Sequence, residues 1–226
     1  DYFEGDAGRV KALLDKYNLK MANLYQHYKD DDELDYENAV KFIAFMKEIG
    51  AKYLNLQGTM WHDEPLERPV DREKVLKYAA LSNRIGRLAR DNGIIACFHP
   101  HAQTAIYKEE EIQLFLDNTD PKLVSLCLDT AHTTIAGMDA VEAFRRWADR
   151  IDYVHLKDVD PNLGQYENPM QSFCELGIGT INFRGVYRVL KEAGYDGVLC
   201  VELDHRPVCN YKSAMISRQY LHNALG

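Results

Sequence analysis

Residues 94–104 read "IIACFHPHAQT": an apolar run leads straight into His99, Pro100 and His101. A short run with no polar alternation suits a strand buried on both faces, as in a parallel sheet. Just ahead, "RDNG" reads as the end of a helix, with Gly93 in the left-handed position where a Cβ would clash. Pro100 keeps His99 extended and forbids a helix directly at that residue. The stretch therefore reads helix, glycine, buried strand, then two imidazoles.

The same arrangement recurs along the chain. Apolar runs stand at 20–25, 51–57, 94–99, 124–129, 152–158 and 197–203, each four to seven residues long and rich in Val, Ile, Leu and Tyr. Between them lie amphipathic patterns. Val40, Phe42, Ile43, Met46 and Ile49 form one apolar face. Val75, Tyr78, Ala79, Ser82, Ile85 and Ala89 form another, opening at the N-cap Asp71. Shorter helices are marked by Ile112, Phe115 and Leu116, by Val141, Phe144, Trp147 and Ala148 after Asp139, and by Val186, Val189, Leu190 and Ala193. A first helix covers about 6–16 and a last one about 212–225. "KEIGAKYLNL" and "KEAGYDGVLCV" repeat the helix–Gly–strand junction, at Gly50 and Gly194. The spacing of roughly 30–45 residues is that of βαβ units. With no linker or low-complexity tract, residues 1–226 read as one domain.

Six strands in βα alternation fit an open doubly wound sheet or a closed (β/α)8 barrel. No G-x-G-x-x-G follows a strand. Polar residues gather instead at strand ends, which favours the α/β (β/α)8 TIM barrel. The helix at 6–16 has no strand before it, so the first strand is expected ahead of Asp1. The turn after "ELGIGTINF" has room for one more short element.

In a parallel barrel the site forms at the C-terminal ends of the strands. There "IIACF" ends in His99 and His101, and "VSLCL" ends in Asp129 with His132 three residues on. "DYV" leads to His155, Lys157 and Asp158. "GVLCV" ends in Glu202, with Asp204, His205 and Arg206 following, and "YLNLQ" ends in Gln57. One such residue is an ordinary cap or loop residue; four successive strands ending in metal-capable groups point to a divalent metal. The Asp, Glu and His mixture suits Mn²⁺, Co²⁺, Zn²⁺, Fe²⁺ or Mg²⁺ and needs no thiolate. Trp61 and His62 sit in a long loop after a strand, where they could close over a sugar ring or simply pack. Gly177 and Gly179 could cradle a phosphate, although a plain turn is the simpler reading. "DDDELD" (30–35) reads as a solvated loop.

With 27 Lys and Arg against 35 Asp and Glu, the net charge is −8, which opposes a nucleic-acid partner. No apolar run approaches the roughly 18 residues of a membrane span. The five cysteines are odd in number and form no CxxC, so they read as core thiols in a reducing, cytoplasmic setting. No signal-peptide pattern opens the sequence at Asp1. Self-association is left open.

"CLDTAH", "DYVHLKDV", "LGIGTINF" and "VLCVELD", in that order, resemble the xylose-isomerase-like TIM barrels. That superfamily holds sugar isomerases and epimerases, inosose dehydratases and the endonuclease IV type of repair enzyme. The resemblance implies metal ligands Asp129, His155 and Glu202. The first ligand, usually a Glu, falls on His99, and "HPHAQT" is similar to the "HPH-x-GT" stretch of inosose dehydratases, with Gln103 where Gly is common. It further implies a small sugar or cyclitol substrate and proton removal beside a carbonyl, followed by isomerisation, epimerisation or dehydration. Glu202, His99, His101 and Lys157 are the expected catalytic groups; His132, Arg206, Gln57 and Trp61 are expected to contact substrate. Because His99 replaces one of the two glutamates of the epimerases, a one-base reaction with a separate acid gains ground. An endonuclease-IV-like phosphodiesterase or a non-catalytic binding barrel are the alternatives.

Overall fold

The computed structural model describes residues 5–60, 68–163, 169–204 and 209–225. The chain divides into two compact units.

The first unit spans residues 1–99, 103–106 and 110–126. It contains α1 (Ala7–Lys16), β1 (Asn23–His27), α2 (Asp32–Ile49), β2 (Tyr53–Gln57), α3 (Arg72–Asp91), β3 (Ile95–Phe98), nearly all of α4 (Glu109–Asp117) and the first half of β4 (Val124–Asp129). The strands pair in parallel in chain order, with Asn23 beside Tyr53, Tyr53 beside Ile95 and Ala96 beside Val124. Every residue of β2 is buried, as a run without polar alternation requires. In α3 the expected face is buried in full, and the Asp71 carboxylate accepts the Lys74 N–H at 3.0 Å. Gly86 lies on that buried face, where an added Cβ would collide with the Leu123 carbonyl. A glycine inside a helix ordinarily costs stability; here it lets α3 approach the chain leading into β4. Gly50 closes α2 with φ of 76°.

Three expectations shift in this unit. The paired strand begins at Asn23 rather than Lys20, since the ladder with β2 runs from Asn23 to His27. The buried face of α2 runs through Ala39, Ile43, Met46 and Ile49, leaving Val40 45% exposed. "DDDELD" is not a solvated loop. Asp31 caps α2 by accepting the Leu34 N–H, and Asp32, Glu33 and Asp35 occupy its first turn, where the helix dipole favours negative charge. Asp35 is buried, and its two oxygens both receive the Lys29 N–H at 2.9 Å.

The second unit spans residues 100–102, 107–109 and 127–226. Its elements are the second half of β4, α5 (Thr130–Ile135), α6 (Ala140–Arg146), β5 (Ile151–Leu156), β6 (Asp158–Val159), β7 (Phe173–Cys174), α7 (Phe183–Glu192), β8 (Val198–Val201) and α8 (Asn210–Leu225). The sheet order is β4-β5-β8, with Tyr153 beside Val198 and His155 beside Cys200 in parallel. Helices α6 and α7 open on Asp139 and Asn182, whose side chains accept the Glu142 and Gly185 N–H groups. The chain after "ELGIGTINF" runs directly into α7, which starts at Phe183; the extra short element, a two-residue antiparallel ladder of β6 with β7, lies before that stretch.

The glycines of "ELGIGT" have a definite task. The buried Asp158 carboxylate accepts the N–H groups of Gly177 at 2.9 Å, Gly179 at 3.0 Å and Ile181 at 3.1 Å. Gly177 has φ of 83°, and a Cβ on Gly179 would overlap the Val159 carbonyl. The turn thus wraps a carboxylate of its own chain. Beneath it, Phe173, Ala131 and Val159 pack together with Ile135, Met170 and Ile181.

Candidate metal centre and active site

Six of the expected site residues meet in the second unit. Asp129 ends β4 with its two oxygens doing different things. Oδ1 accepts the N–H groups of Ala131 at 2.7 Å and His132 at 2.9 Å, capping α5. Oδ2 is buried and accepts no hydrogen bond. A buried carboxylate oxygen left this way is costly unless a cation faces it. His155 Nδ1 lies 3.8 Å from that oxygen and 3.0 Å from Glu202 Oε2. One ligand atom from each of the three falls within 4.8 Å of the others. This oxygen–nitrogen–oxygen set, on the ends of three strands, fits a divalent cation of the Zn²⁺ or Mn²⁺ kind.

Lys157 stands beside the triad. Its side chain is fully buried, and its Nζ lies 3.0 Å from Glu202 Oε2, 3.5 Å from Asp129 Oδ2 and 2.9 Å from Asp204 Oδ2. Burial by itself would pull the ammonium pKa down; the carboxylates of Asp129, Glu202 and Asp204 outweigh it and raise the value, so Lys157 is a cation. Its ammonium also sits 4.9 Å above the Phe173 ring. Thr130 fixes the backbone here, donating to the Lys157 carbonyl at 2.7 Å while its hydroxyl accepts the Lys157 N–H at 3.0 Å.

His101 and His132 stack with ring centroids 3.8 Å apart. The Ala102 peptide sets their tautomers. Its carbonyl accepts from His101 Nδ1 at 2.6 Å, and its N–H donates to His132 Nδ1 at 3.4 Å. Neutral His101 therefore offers an Nε2 lone pair, whereas His132 offers an Nε2–H. Burial pushes the His101 pKa down to about 4, so its ring is neutral at neutral pH. His132 Nε2 lies 3.5 Å from Lys157 Nζ and 3.9 Å from Asp204 Oδ2.

Two expected residues belong to the first unit. His99 is buried at the end of β3, its N–H extends the ladder to the Leu56 carbonyl at 2.7 Å, and its ring meets Tyr25 edge-on at 5.7 Å. The Tyr25 hydroxyl donates to Gln57 Oε1, so Tyr25 links Gln57 with His99. Trp61 and Arg206 lie outside the described residues. Two contributors carried no assigned role in the sequence. Asp204 follows Glu202 by two residues, the strand period that returns a side chain to the same face, and His155 and Lys157 share that spacing. Tyr25 had no such signal, because its role comes from the β1–β2 register.

The sequence matches the model of the xylose isomerase-like TIM barrel over residues 1–221. The chain belongs to this TIM barrel family. Among its relatives is an inosose dehydratase of Clostridium botulinum (strain Alaska E43 / Type E3), 33% identical over 245 residues, covering 96% of this chain and 80% of that protein. Solved structures with the same fold include the IolI protein with a bound zinc atom, at TM-score 0.80 and 16% identity, covering 99% of this chain and 83% of that one. A D-tagatose 3-epimerase-like protein aligns at TM-score 0.78 and 18% identity, covering 98% and 83%. Membership in the xylose isomerase-like TIM barrels decides between the two architectures that βα alternation left open. Among the described residues, no helix is long and apolar enough to cross a membrane.

Proposed function

We propose that the chain is a divalent-metal-dependent enzyme that removes a proton beside the carbonyl of a keto-sugar or cyclitol, with loss of water following as in inosose dehydratases. The observation that carries this reading is the convergence of Asp129 Oδ2, His155 Nδ1 and Glu202 Oε2 around one point. The inosose dehydratase similarity, at 33% identity, supports the choice of a cyclitol-type substrate. Asp129, His155 and Glu202 would hold the ion, with His99 as the fourth ligand; Mn²⁺, Co²⁺, Zn²⁺, Fe²⁺ and Mg²⁺ all suit the donor set. When bound, the ion supplies Lewis-acid polarisation of a carbonyl oxygen.

The protein groups divide the remaining work. Glu202, 32% exposed, is the base for the carbon-bound proton as well as a ligand. Lys157 presents a fixed positive charge and N–H donors to substrate oxygens. The proton that Glu202 takes from carbon passes to the departing hydroxyl, which leaves as water; His132 donates a hydrogen bond from Nε2, and His101 accepts one from a substrate hydroxyl at Nε2. Gln57, braced by Tyr25, contacts a further hydroxyl, as do Trp61 and Arg206. Residues 1–226 form one catalytic barrel domain in the cytoplasm. The net charge of −8 supports a small-molecule substrate over nucleic acid.

Proton NMR in D₂O tests the reading, with Mn²⁺- or Co²⁺-loaded protein and a panel of inososes and keto-sugars. Deuterium uptake together with new unsaturation is the expected result. Uptake without unsaturation assigns isomerisation or epimerisation to the same site. No exchange with any metal-loaded sample would sink proton abstraction.

A further inference from the structure

We propose that Asp204 is a positioning residue, one that fixes the Lys157 ammonium from the solvent side independently of the metal ligands. Three carboxylates surround Lys157 Nζ, but two of them, Asp129 and Glu202, are assigned to the ion. A bound dication draws their charge to itself. Asp204 is the carboxylate of the three that keeps its full charge for Lys157, and its contact is also the shortest, at 2.9 Å.

The geometry is that of a clamp. The Phe173 ring lies under the ammonium at 4.9 Å and edge-on to His132 at 5.2 Å. Asp204 Oδ2 lies 2.9 Å from the ammonium and 3.9 Å from His132 Nε2. Lys157 is buried whereas the Asp204 side chain is 34% exposed, so the carboxylate meets the ammonium from the side open to solvent. A lysine side chain has four rotatable bonds and loses its advantage as a donor unless one rotamer is held. Asp204 and Phe173 hold it, so the ammonium charge stands at one fixed point beside the proposed ligands. This rests on the function proposed above, and its test is arranged so that each can fail alone.

The experiment compares the full-length protein with Asp204→Asn, which keeps the size and removes the charge. The first readout needs no turnover: the lysine ¹⁵Nζ ammonium cross-peak of Lys157, assigned by its loss in Lys157→Met. A held, buried ammonium exchanges slowly and gives a sharp peak. In Asp204→Asn that peak should broaden or vanish while the rest of the amide spectrum stays in place. The second readout is metal affinity by chelator competition with Zn²⁺, expected within twofold of the parent. The third, on whichever substrate the parent turns over, is kcat reduced on the order of tenfold or more with a smaller change in KM. An unchanged Lys157 peak or an unchanged kcat overturns the proposal. So does a tenfold loss of Zn²⁺ affinity, which would make Asp204 a ligand. If the parent itself turns over nothing, the functional reading fails, and the ammonium peak still judges Asp204.

Discussion

At the scale of single residues, Asp129 shows how one side chain serves the fold and the site with separate atoms. Oδ1 takes two helix N–H groups and Oδ2 is left for a cation. Asp129→Asn separates the two tasks, because asparagine caps helices as well as aspartate does. Metal affinity should fall by about a hundredfold or more, while the melting temperature in chelator should fall only by what the buried Asp129–Lys157 contact contributes, since the cap is kept. His99→Ala is the companion test for the fourth ligand. If its metal affinity is unchanged and only turnover falls, His99 acts on protons rather than on the ion. A pH effect belongs to Asp30. Its burial raises the carboxyl pKa, but hydrogen bonds from Lys74 and Tyr78 outweigh this and hold it below the usual value. The contacts are 2.8 Å to Lys74 Nζ and 2.7 Å to the Tyr78 hydroxyl. A depressed carboxyl pKa stabilises the folded state above the unfolded value and loses that contribution as pH falls through the folded one. Asp30→Asn should therefore cost less than about 1 kcal/mol at pH 7, since water screens this partly exposed carboxylate. In urea titrations its gap from the parent should narrow as pH drops below about 4.

At the scale of elements, what could be read in the sequence was what local chemistry decides. The caps Asp71 and Asp139 and the left-handed Gly50, Gly93 and Gly194 announce themselves, because a carboxylate or a missing Cβ acts on its own few neighbours. What failed depended on distant partners. Val40 matches Ala39 for helix periodicity, and the packing of α2 alone chose which of the two is buried. "DDDELD" looked solvated because nothing local says that Asp35 would fold back onto the Lys29 amide. The β6–β7 ladder, two residues on each side, is too short to leave a pattern. The close approach of α3 gives a sharper test. Gly86→Ala raises helix propensity by up to about 1 kcal/mol, yet it places a methyl against the Leu123 carbonyl. Overpacking against backbone should win, with a net loss of about 1–3 kcal/mol in denaturant unfolding. A gain in stability would show that α3 can move away from that carbonyl.

At the scale of the whole molecule, the strand ends carried the legible part of the site. Asp129, His155 and Glu202 could be picked out because each closes an apolar run, and the βα pattern brings such ends to one edge of the sheet. The Asp204 clamp and the tautomers set by the Ala102 peptide could not, since they rest on ångström-scale placement that no spacing encodes. Metal binding should be visible in global stability. At a hundredfold excess over its Kd a ligand adds about 2.7 kcal/mol, on the order of 5–10 °C for a chain of this length. Thermal melts with and without Zn²⁺ should show that shift in the parent and lose it in Asp129→Asn. The capped carboxylate has one more consequence, for time rather than affinity. The Ala131 and His132 amides hold Asp129 in place whether or not an ion is present, so this proposed ligand is set when the chain finishes folding. If the proposed ion binds there, one divalent ion should replace another without refolding, and the metal content of purified protein should then follow the supply in its growth medium.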